Sequence, residues 1–95
     1  MSPIEIEAVL ADHSTIRDCA VTEVTVKPEV TVIAAFCISD GPLDEAQLSA
    51  HMSNRLARFK CPRLFVRVDA LPRNANGKLK RRGLRDAWEA AHDQT

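Results

Sequence analysis

IRDCAVTEVTVKPEVTVIAAFCIS, residues 16–39, contains two runs rich in β-branched residues. The first run, from Ile16 to Val26, and the second, from Val30 to Ser39, both have the composition of β-strands. Between them, Lys27-Pro28-Glu29 has the composition of a turn. Two strands joined by so short a connection are expected to pair as an antiparallel hairpin.

A helix is predicted before this hairpin. Ser2 is a suitable N-cap, Pro3 suits the first helical position, and Glu5 follows three residues after the cap. Apolar positions then recur at helical spacing over about ten residues. They are Ile6, Val9, Leu10 and His13.

A second helix is predicted after Asp40-Gly41-Pro42, with Asp44 as its N-cap and Gln47 as the capping-box partner. Its expected buried face consists of Leu48, Met52, Leu56 and Phe59, and Cys61-Pro62 is expected to end it. Residues 63–69 then nearly alternate as a third strand, and residues 71–78 have the composition of a loop. The closing helix is expected to bury Leu84, Ala87, Trp88 and Ala91.

This order, αββαβα, predicts an α+β fold in which helices cover a small antiparallel sheet of about three strands. Ninety-five residues suffice for one domain, and the composition, 45% hydrophobic and 27% charged, is typical of a globular protein. No apolar run is long enough to span a membrane, and the N-terminus does not resemble a signal peptide. Three widely spaced cysteines without a CxxC pattern indicate reduced thiols and a cytoplasmic location.

The net charge of zero conceals a strong asymmetry along the chain. Residues 1–54 contain nine acidic and two basic residues, a net charge of −7, whereas residues 55–85 contain eleven basic residues and one acidic residue, a net charge of +10. Such a basic segment predicts attraction to a polyanion. The possible partners are a nucleic acid, an anionic membrane or a phosphorylated small molecule.

Asn76-Gly77-Lys78 is the most distinctive local motif, and more cations follow it. Gly77 tolerates backbone conformations that other residues avoid, so a tight turn there can display Lys78 toward a phosphate or carboxylate oxygen. The alternative is an exposed lysine in a basic surface loop. The motif is not a P-loop, because Pro72 and Leu79 occupy positions that require Gly and Ser or Thr. The three histidines lack metal-binding spacing, so no metal site is expected.

A second basic group surrounds Cys61-Pro62. It consists of Arg58, Lys60, Arg63 and Arg67. One interpretation is an anion site at the end of the second helix. The other is that these cations only complement the negative end of the helix dipole.

Five ordered segments resemble the C-terminal domain of the AMP-forming adenylating enzymes. This family contains acyl- and aryl-CoA synthetases, the adenylation domains of peptide synthetases, and luciferases. The segments are SPIEIE at residues 2–7, IRDCAV at residues 16–21, AAFC at residues 34–37, LARFKCP at residues 56–62 and LPRNANGKLKRRGL at residues 71–84. The last is the most specific, since it is similar to the family's final Gly-Lys motif.

The resemblance implies a catalytic role for Lys78, which corresponds to the family's adenylation lysine. That lysine contacts the carboxylate and the ATP phosphates while acyl-adenylate and pyrophosphate form from the acid and Mg-ATP. The small domain then rotates and helps to form a tunnel for coenzyme A. Gly77, Arg58, Lys60 and Cys61 are the expected cofactor-binding residues, the last three near the nucleotide or pantetheine of CoA.

The resemblance also implies that residues 1–95 form a single lid domain of an acyl-CoA synthetase, with fatty acid metabolism as one expected setting. The family's large N-terminal domain and hinge are absent from these residues, and Met1 resembles an engineered start. The N-terminal domain is the expected partner, together with a small carboxylic acid, so the chain alone is expected to be inactive. The alternatives are the lid of a peptide-synthetase adenylation domain, a basic nucleic-acid-binding module and a free-standing interaction domain.

Overall fold

A computed structural model of the protein describes residues 3–91. Three α-helices and three β-strands follow one another in the predicted order αββαβα. They are α1 (Pro3–Ala11), β1 (Ile16–Lys27), β2 (Val30–Ser39), α2 (Glu45–Ser53), β3 (Leu64–Arg67) and α3 (Arg81–Ala91). The proposed Ser2 cap, the Met1 start and His92 lie outside the described residues.

The predicted hairpin is confirmed. β1 and β2 pair antiparallel from Ile16↔Ser39 to Lys27↔Val30, which leaves Pro28 and Glu29 as the turn. Glu29 has a φ of 65°, in the left-handed region that glycine adopts more readily. Because both strands are ten or more residues long, their pairing forms the larger part of the sheet.

The third strand corrects the expectation of an antiparallel sheet. β3 pairs parallel with β2, from Ala34↔Leu64 to Cys37↔Arg67, so the sheet is mixed with the order β1-β2-β3. The reason lies in the connection, because α2 returns the chain to the end of the sheet at which β2 begins. A helix between two neighbouring strands is the usual crossover that makes them parallel.

Helices lie on both faces of the sheet, and β2 is buried between them. Its side chains alternate, so that Ala34 and Phe36 face one core while Ala35 and Cys37 face the other. The first core also contains Ala20, Val24 and Leu84, so it lies beneath α3. The second lies beneath α1 and α2 and contains Ile6, Leu10, Ile16, Cys19, Val21, Leu48 and Met52. A central strand that is buried on both faces explains why the sequence of β2 is almost continuously apolar.

α2 begins as predicted but ends earlier. The Asp44 side chain accepts a hydrogen bond from the Gln47 backbone N–H at 3.1 Å, as expected of an N-cap. The helix ends at Ser53, whose hydroxyl donates to the Ser49 carbonyl at 2.7 Å, a side-chain bond that competes with regular helical structure. Leu48 and Met52 are buried as predicted. Phe59 instead lies in a short 3-10 turn, Arg58–Lys60, and is 74% exposed.

α3 presents a narrower apolar face than predicted. Leu84 is buried and Trp88 is half-buried, whereas Ala87 and Ala91 are exposed. The small side chains of the two alanines leave an open apolar groove between α3 and the end of β3. The predicted helix therefore exists, but only part of its predicted stripe reaches the core.

The outer edge of β1 is closed by side chains. The Val21 N–H donates to Glu7 Oε2 at 2.7 Å, and Arg81 Nε donates to the Val21 carbonyl at 3.2 Å. Arg81 also forms an ion pair with Glu7, with 2.6 Å between Nη2 and Oε1. Farther along the edge, the Thr25 N–H donates to Glu89 Oε2 at 2.7 Å. These contacts satisfy main-chain groups that an edge strand otherwise leaves unpaired.

Candidate functional site

Lys78 lies at the tip of a small hairpin formed by residues 72–80. Its two arms are joined by an isolated antiparallel bridge between Arg73 and Leu79. Three backbone hydrogen bonds, each 2.9 Å long, close the hairpin. They run from Asn74 N to Lys78 O, from Gly77 N to Asn74 O, and from Lys80 N to Pro72 O. The lysine therefore projects from a defined turn.

Asn74 and Gly77 determine the shape of the tip. The Asn74 Oδ1 accepts hydrogen bonds from the N–H groups of Asn76, at 2.9 Å, and Lys78, at 3.0 Å. Gly77 has a φ of 80°, which confirms the prediction that it adopts a conformation other residues avoid. The chain reverses at Gly77, and no atom lies within 4 Å of the position that a Cβ would occupy there.

Arg73 connects this hairpin to the sheet. One guanidinium nitrogen donates to the Gly77 carbonyl at 3.2 Å, and another forms an ion pair of 2.9 Å with Asp18 Oδ2. The other oxygen of Asp18 accepts from the Cys19 N–H at 2.9 Å. Arg73 therefore links the turn beside Lys78 to the start of β1.

The Lys78 side chain is exposed. Within residues 3–91, its ammonium group forms no hydrogen bond and no ion pair. By contrast, four other cations of the basic segment are paired with carboxylates: Lys60, Arg73, Arg81 and Arg82. The group is available to an anion brought from outside the described part of the chain.

The four cations around Cys61-Pro62 do not share one site in the structure. Arg58 and Cys61 line a surface pocket together with Ser49, Ser53, Pro62 and Arg63. Lys60 does not line it, because its Nζ forms contacts of 3.3 and 3.5 Å with the two carboxylate oxygens of Glu5. Arg67 also points elsewhere and donates to the Ser39 carbonyl at 3.2 Å.

Sequence reasoning missed two residues of this pocket and misplaced the neighbouring Phe59. Ser49 and Ser53 lie one turn apart on α2, about 100° around the helix from its buried Leu48 and Met52, so their shared position follows from helical periodicity. The spacing of Phe59 extends the apolar pattern of α2 and so predicts a place in the core. The early end of that helix instead puts the ring on the surface, where Lys60 Nζ lies 5.9 Å from its centroid.

Among residues 3–91, no group of three or more His, Cys, Asp or Glu side chains is arranged to hold a metal ion. In the same part of the chain, no helix has the length and apolar character needed to cross a membrane. His13 and His51 do approach each other edge to face, with 5.0 Å between ring centroids. The Nε2 of His51 also binds the Val9 carbonyl at 2.8 Å, so this pair joins α1 to α2.

The family model described as the AMP-binding enzyme C-terminal domain matches residues 5–78. The chain belongs to this family. Over 82 residues it is 43% identical to 2-succinylbenzoate–CoA ligase of Bacillus licheniformis, a match that spans 86% of this chain and 17% of that protein. Over 80 residues it is 39% identical to a dimodular nonribosomal peptide synthase of Bacillus subtilis, across 84% of this chain and 3% of that protein.

Among solved structures, the chain is similar to a fatty acyl-CoA synthetase of Mycobacterium tuberculosis. The TM-score is 0.84 at 30% sequence identity, and the match spans 94% of this chain and 18% of that one. The chain thus corresponds to less than a fifth of the length of the proteins it matches. The resemblance found in the five sequence segments is confirmed at the level of the family.

Proposed function

We propose that the chain acts as the lid domain of an ATP-dependent acid–thiol ligase and supplies Lys78 to the activation of a carboxylate. The observation that carries this proposal is the exposed ammonium of Lys78, which has no partner within residues 3–91. The turn from which it projects is held in place by contacts of Asn74, Gly77 and Arg73. In this reaction the carboxylate attacks the α-phosphorus of Mg-ATP, forming acyl-adenylate and releasing pyrophosphate.

Lys78 would act by neutralising charge on the reacting oxygens. At about 4 Å, an ammonium and an anionic oxygen attract each other by roughly 4 kcal/mol at an effective dielectric constant near 20. The fixed turn reduces the cost of ordering the backbone beneath the lysine when the anion arrives. The contacts to ATP, Mg²⁺ and the acid that this domain lacks would come from the N-terminal domain, so residues 1–95 alone are expected to be inactive.

The thiol-transfer step would use the second region. The surface pocket combines two cations, Arg58 and Arg63, with the hydroxyl of Ser49, a set suited to a phosphate of CoA, whereas the Ser53 hydroxyl already donates to the Ser49 carbonyl. Cys61 lines the same pocket, whereas Lys60 must leave Glu5 before it can bind another anion. The three residues expected near CoA therefore divide into Arg58 and Cys61, which already line the pocket, and Lys60, which has an internal partner, while Gly77 lies in the turn beside Lys78.

The proposal concerns the chemistry that the named relatives share. Their names include a succinylbenzoate–CoA ligase and a fatty acyl-CoA synthetase, so the proposed substrate is a carboxylic acid rather than a fatty acid in particular. The three cysteines are free, which supports the proposal of a reducing, cytoplasmic setting.

The test of the lysine is Lys78→Ala in the complete ligase that contains this domain. The rate of acyl-adenylate formation, measured as pyrophosphate release, is expected to fall by about 10²–10³-fold. This is the typical effect of removing one preorganised electrostatic contact. Thioester formation from supplied acyl-adenylate is expected to keep its rate. Lys80→Ala is the matched control, because Lys80 is also exposed and lies two residues away. Equal loss in the two variants, or wild-type rates for both half-reactions, would contradict the assignment.

A second candidate is the lid of a peptide-synthetase adenylation domain, which the similarity to the Bacillus subtilis synthase favours. The two candidates share the first half-reaction and differ in the thiol acceptor. Arg58→Ala with Arg63→Ala is expected to raise the KM for CoA by about a hundredfold, since each charged hydrogen bond contributes about 1.5–3 kcal/mol and the double variant loses two. An enzyme that transfers its acyl group to a carrier protein but not to CoA would favour the second candidate instead.

A further inference from the structure

Cys19 and Cys37 lie directly opposite each other on neighbouring strands. Cys19 on β1 is the register partner of Cys37 on β2. Both side chains belong to the core beneath α1 and α2, so they project from the same face of the sheet. Both are free thiols.

The hydrogen bonds of β1 show which type of cross-strand pair this is. The N–H and carbonyl of Val21 bind Glu7 and Arg81, so both groups point away from β2. Cys19 lies two residues earlier and has the same orientation, and its N–H accordingly binds Asp18. Cys19 and Cys37 therefore form a non-hydrogen-bonded pair, the type in which opposite Cα atoms approach to about 4.5 Å.

This spacing suits a disulfide. Disulfide-linked residues have Cα atoms about 4.4–6.8 Å apart and Cβ atoms about 3.5–4.5 Å apart. A non-hydrogen-bonded pair falls within the first range and brings its Cβ atoms close together on one face. The register and the shared face of Cys19 and Cys37 are therefore compatible with a disulfide between them.

Access to the pair is unequal. Cys37 is fully buried, whereas Cys19 is 8% exposed. Cys19 also lines a surface cleft between α1 and the base of the Lys78 hairpin, together with Ala8, Asp18 and Arg73. A small oxidant can therefore meet Cys19 first, and Cys37 is then the nearest thiol in position to complete the reaction.

We propose that Cys19 and Cys37 form a redox-sensitive thiol pair that closes a cross-strand disulfide when a low-molecular-weight disulfide enters this cleft. The Cys19 thiolate attacks one sulfur of the oxidant, forms a mixed disulfide and releases one thiol. The Cys37 thiolate then attacks the Cys19 sulfur and displaces the second thiol. Both cysteine protons end on the two released thiols, and the two electrons lost by the protein reduce the oxidant.

The pair is expected to react slowly at neutral pH. Burial raises the pKa of each thiol to about 12, and nearby Glu7 and Asp18 add to the effect at Cys19. Since the thiolate is the attacking species, the rate should rise by about tenfold per pH unit below this pKa. The reduced form also has a hydrogen bond from the Cys19 thiol to the Glu7 carbonyl, at 3.4 Å, which oxidation removes.

The experiment exposes the folded 95-residue chain to oxidised glutathione at pH 7 and pH 9, with acid quenching, alkylation of free thiols and mass-spectrometric peptide mapping. The expected product has lost two hydrogen atoms and links the peptide containing Cys19 to the peptide containing Cys37, more quickly at pH 9. The same chain unfolded in urea is the positive control for the oxidant.

Cys61 provides the matched control variant, because it is the third free cysteine and lies outside the pair. Cys61→Ser is expected to retain the link, whereas Cys19→Ser and Cys37→Ser each lose it. A link that involves Cys61, a disulfide between two molecules, or no link under conditions that oxidise the unfolded chain would overturn the proposal. The mapping of the unmutated chain decides the matter even if a variant fails to fold.

Discussion

Gly77 is the residue at which the shape of the Lys78 hairpin is most sensitive to a side chain. Its φ of 80° lies in the left-handed region, and no atom lies within 4 Å of the position that a Cβ would occupy. Gly77→Ala therefore adds backbone strain without a clash, and we expect a loss of about 1 kcal/mol in the free energy of unfolding. Urea unfolding measures the loss, and amide exchange at Lys78 reports its local part.

Gly41 offers the control for this substitution. It also has open space around its missing Cβ, but its φ is outside the left-handed region. Gly41→Ala is expected to change the free energy of unfolding by less than about 0.5 kcal/mol. If the two variants were equally stable, the strain assigned to Gly77 would be absent.

At the scale of residues, backbone conformation set by neighbouring residues could be predicted from the sequence, whereas contacts between residues far apart in the chain could not. The conformation of Gly77 followed from the residue type in a turn composition. The contact of Arg73 with Asp18 and that of Lys60 with Glu5 each join residues 55 positions apart in the chain. Such contacts depend on how the elements pack, so the sequence does not distinguish Lys60 from Arg58, whereas the fold separates them.

At the scale of elements, one carboxylate holds the contacts that close the outer edge of β1 near Val21. Glu7 accepts from the Val21 N–H and from Arg81, and its side chain is only 16% exposed. Glu7→Ala leaves the partly buried guanidinium and the Val21 N–H without this acceptor. We expect the free energy of unfolding to fall by about 2 kcal/mol, measured by urea or thermal unfolding.

Asp86→Ala is the comparison for the Glu7 prediction. Asp86 pairs with Arg82 at 3.9 Å on the surface of α3, and both side chains are mostly exposed. Exposed pairs of this spacing contribute about 0.5 kcal/mol or less. A Glu7→Ala effect as small as that of Asp86→Ala would show that the carboxylate is not needed to close the edge.

The elements also show why part of the fold could be predicted. The β1–β2 hairpin depends on strand composition and a short turn, both of which are local, and its predicted bounds differ from the observed ones by one residue at most. The direction of β3 depends on where α2 places the chain, which the composition of Leu64–Arg67 does not encode. The end of α2 was missed because Leu56 and Phe59 continue its apolar spacing beyond Ser53.

At the scale of the molecule, the acidic first half of the chain packs against the basic second half. Three ion pairs join them, Glu5 with Lys60, Glu7 with Arg81 and Asp18 with Arg73. Part of the basic segment is therefore neutralised within the fold, so its net charge overstates the attraction it offers to a nucleic acid. Lys78, Arg58 and Arg63 have no carboxylate partner within the described residues, and these are the cations that the proposed ligase function uses.

The two buried thiols are expected to lower the free energy of unfolding of the whole domain as the pH rises above 9. Their pKa values are raised from 9.0 to about 12 in the folded chain, mainly by burial. Above pH 9 the unfolded chain therefore loses thiol protons that the folded chain retains, which favours unfolding. With a reductant present, we expect each thiol to lower the free energy of unfolding by up to about 1.4 kcal/mol per pH unit between pH 9 and 12.

Urea unfolding at several pH values above 9 measures this slope, and the difference in slope between variants isolates the contribution of the two buried thiols. Cys19→Ala with Cys37→Ala should flatten the slope, whatever its effect on stability at pH 7. Cys61→Ala, which removes the thiol at the surface pocket, is the matched control variant. Equal slopes in the unmutated chain and the double variant would mean that the core does not hold these thiols in their protonated form.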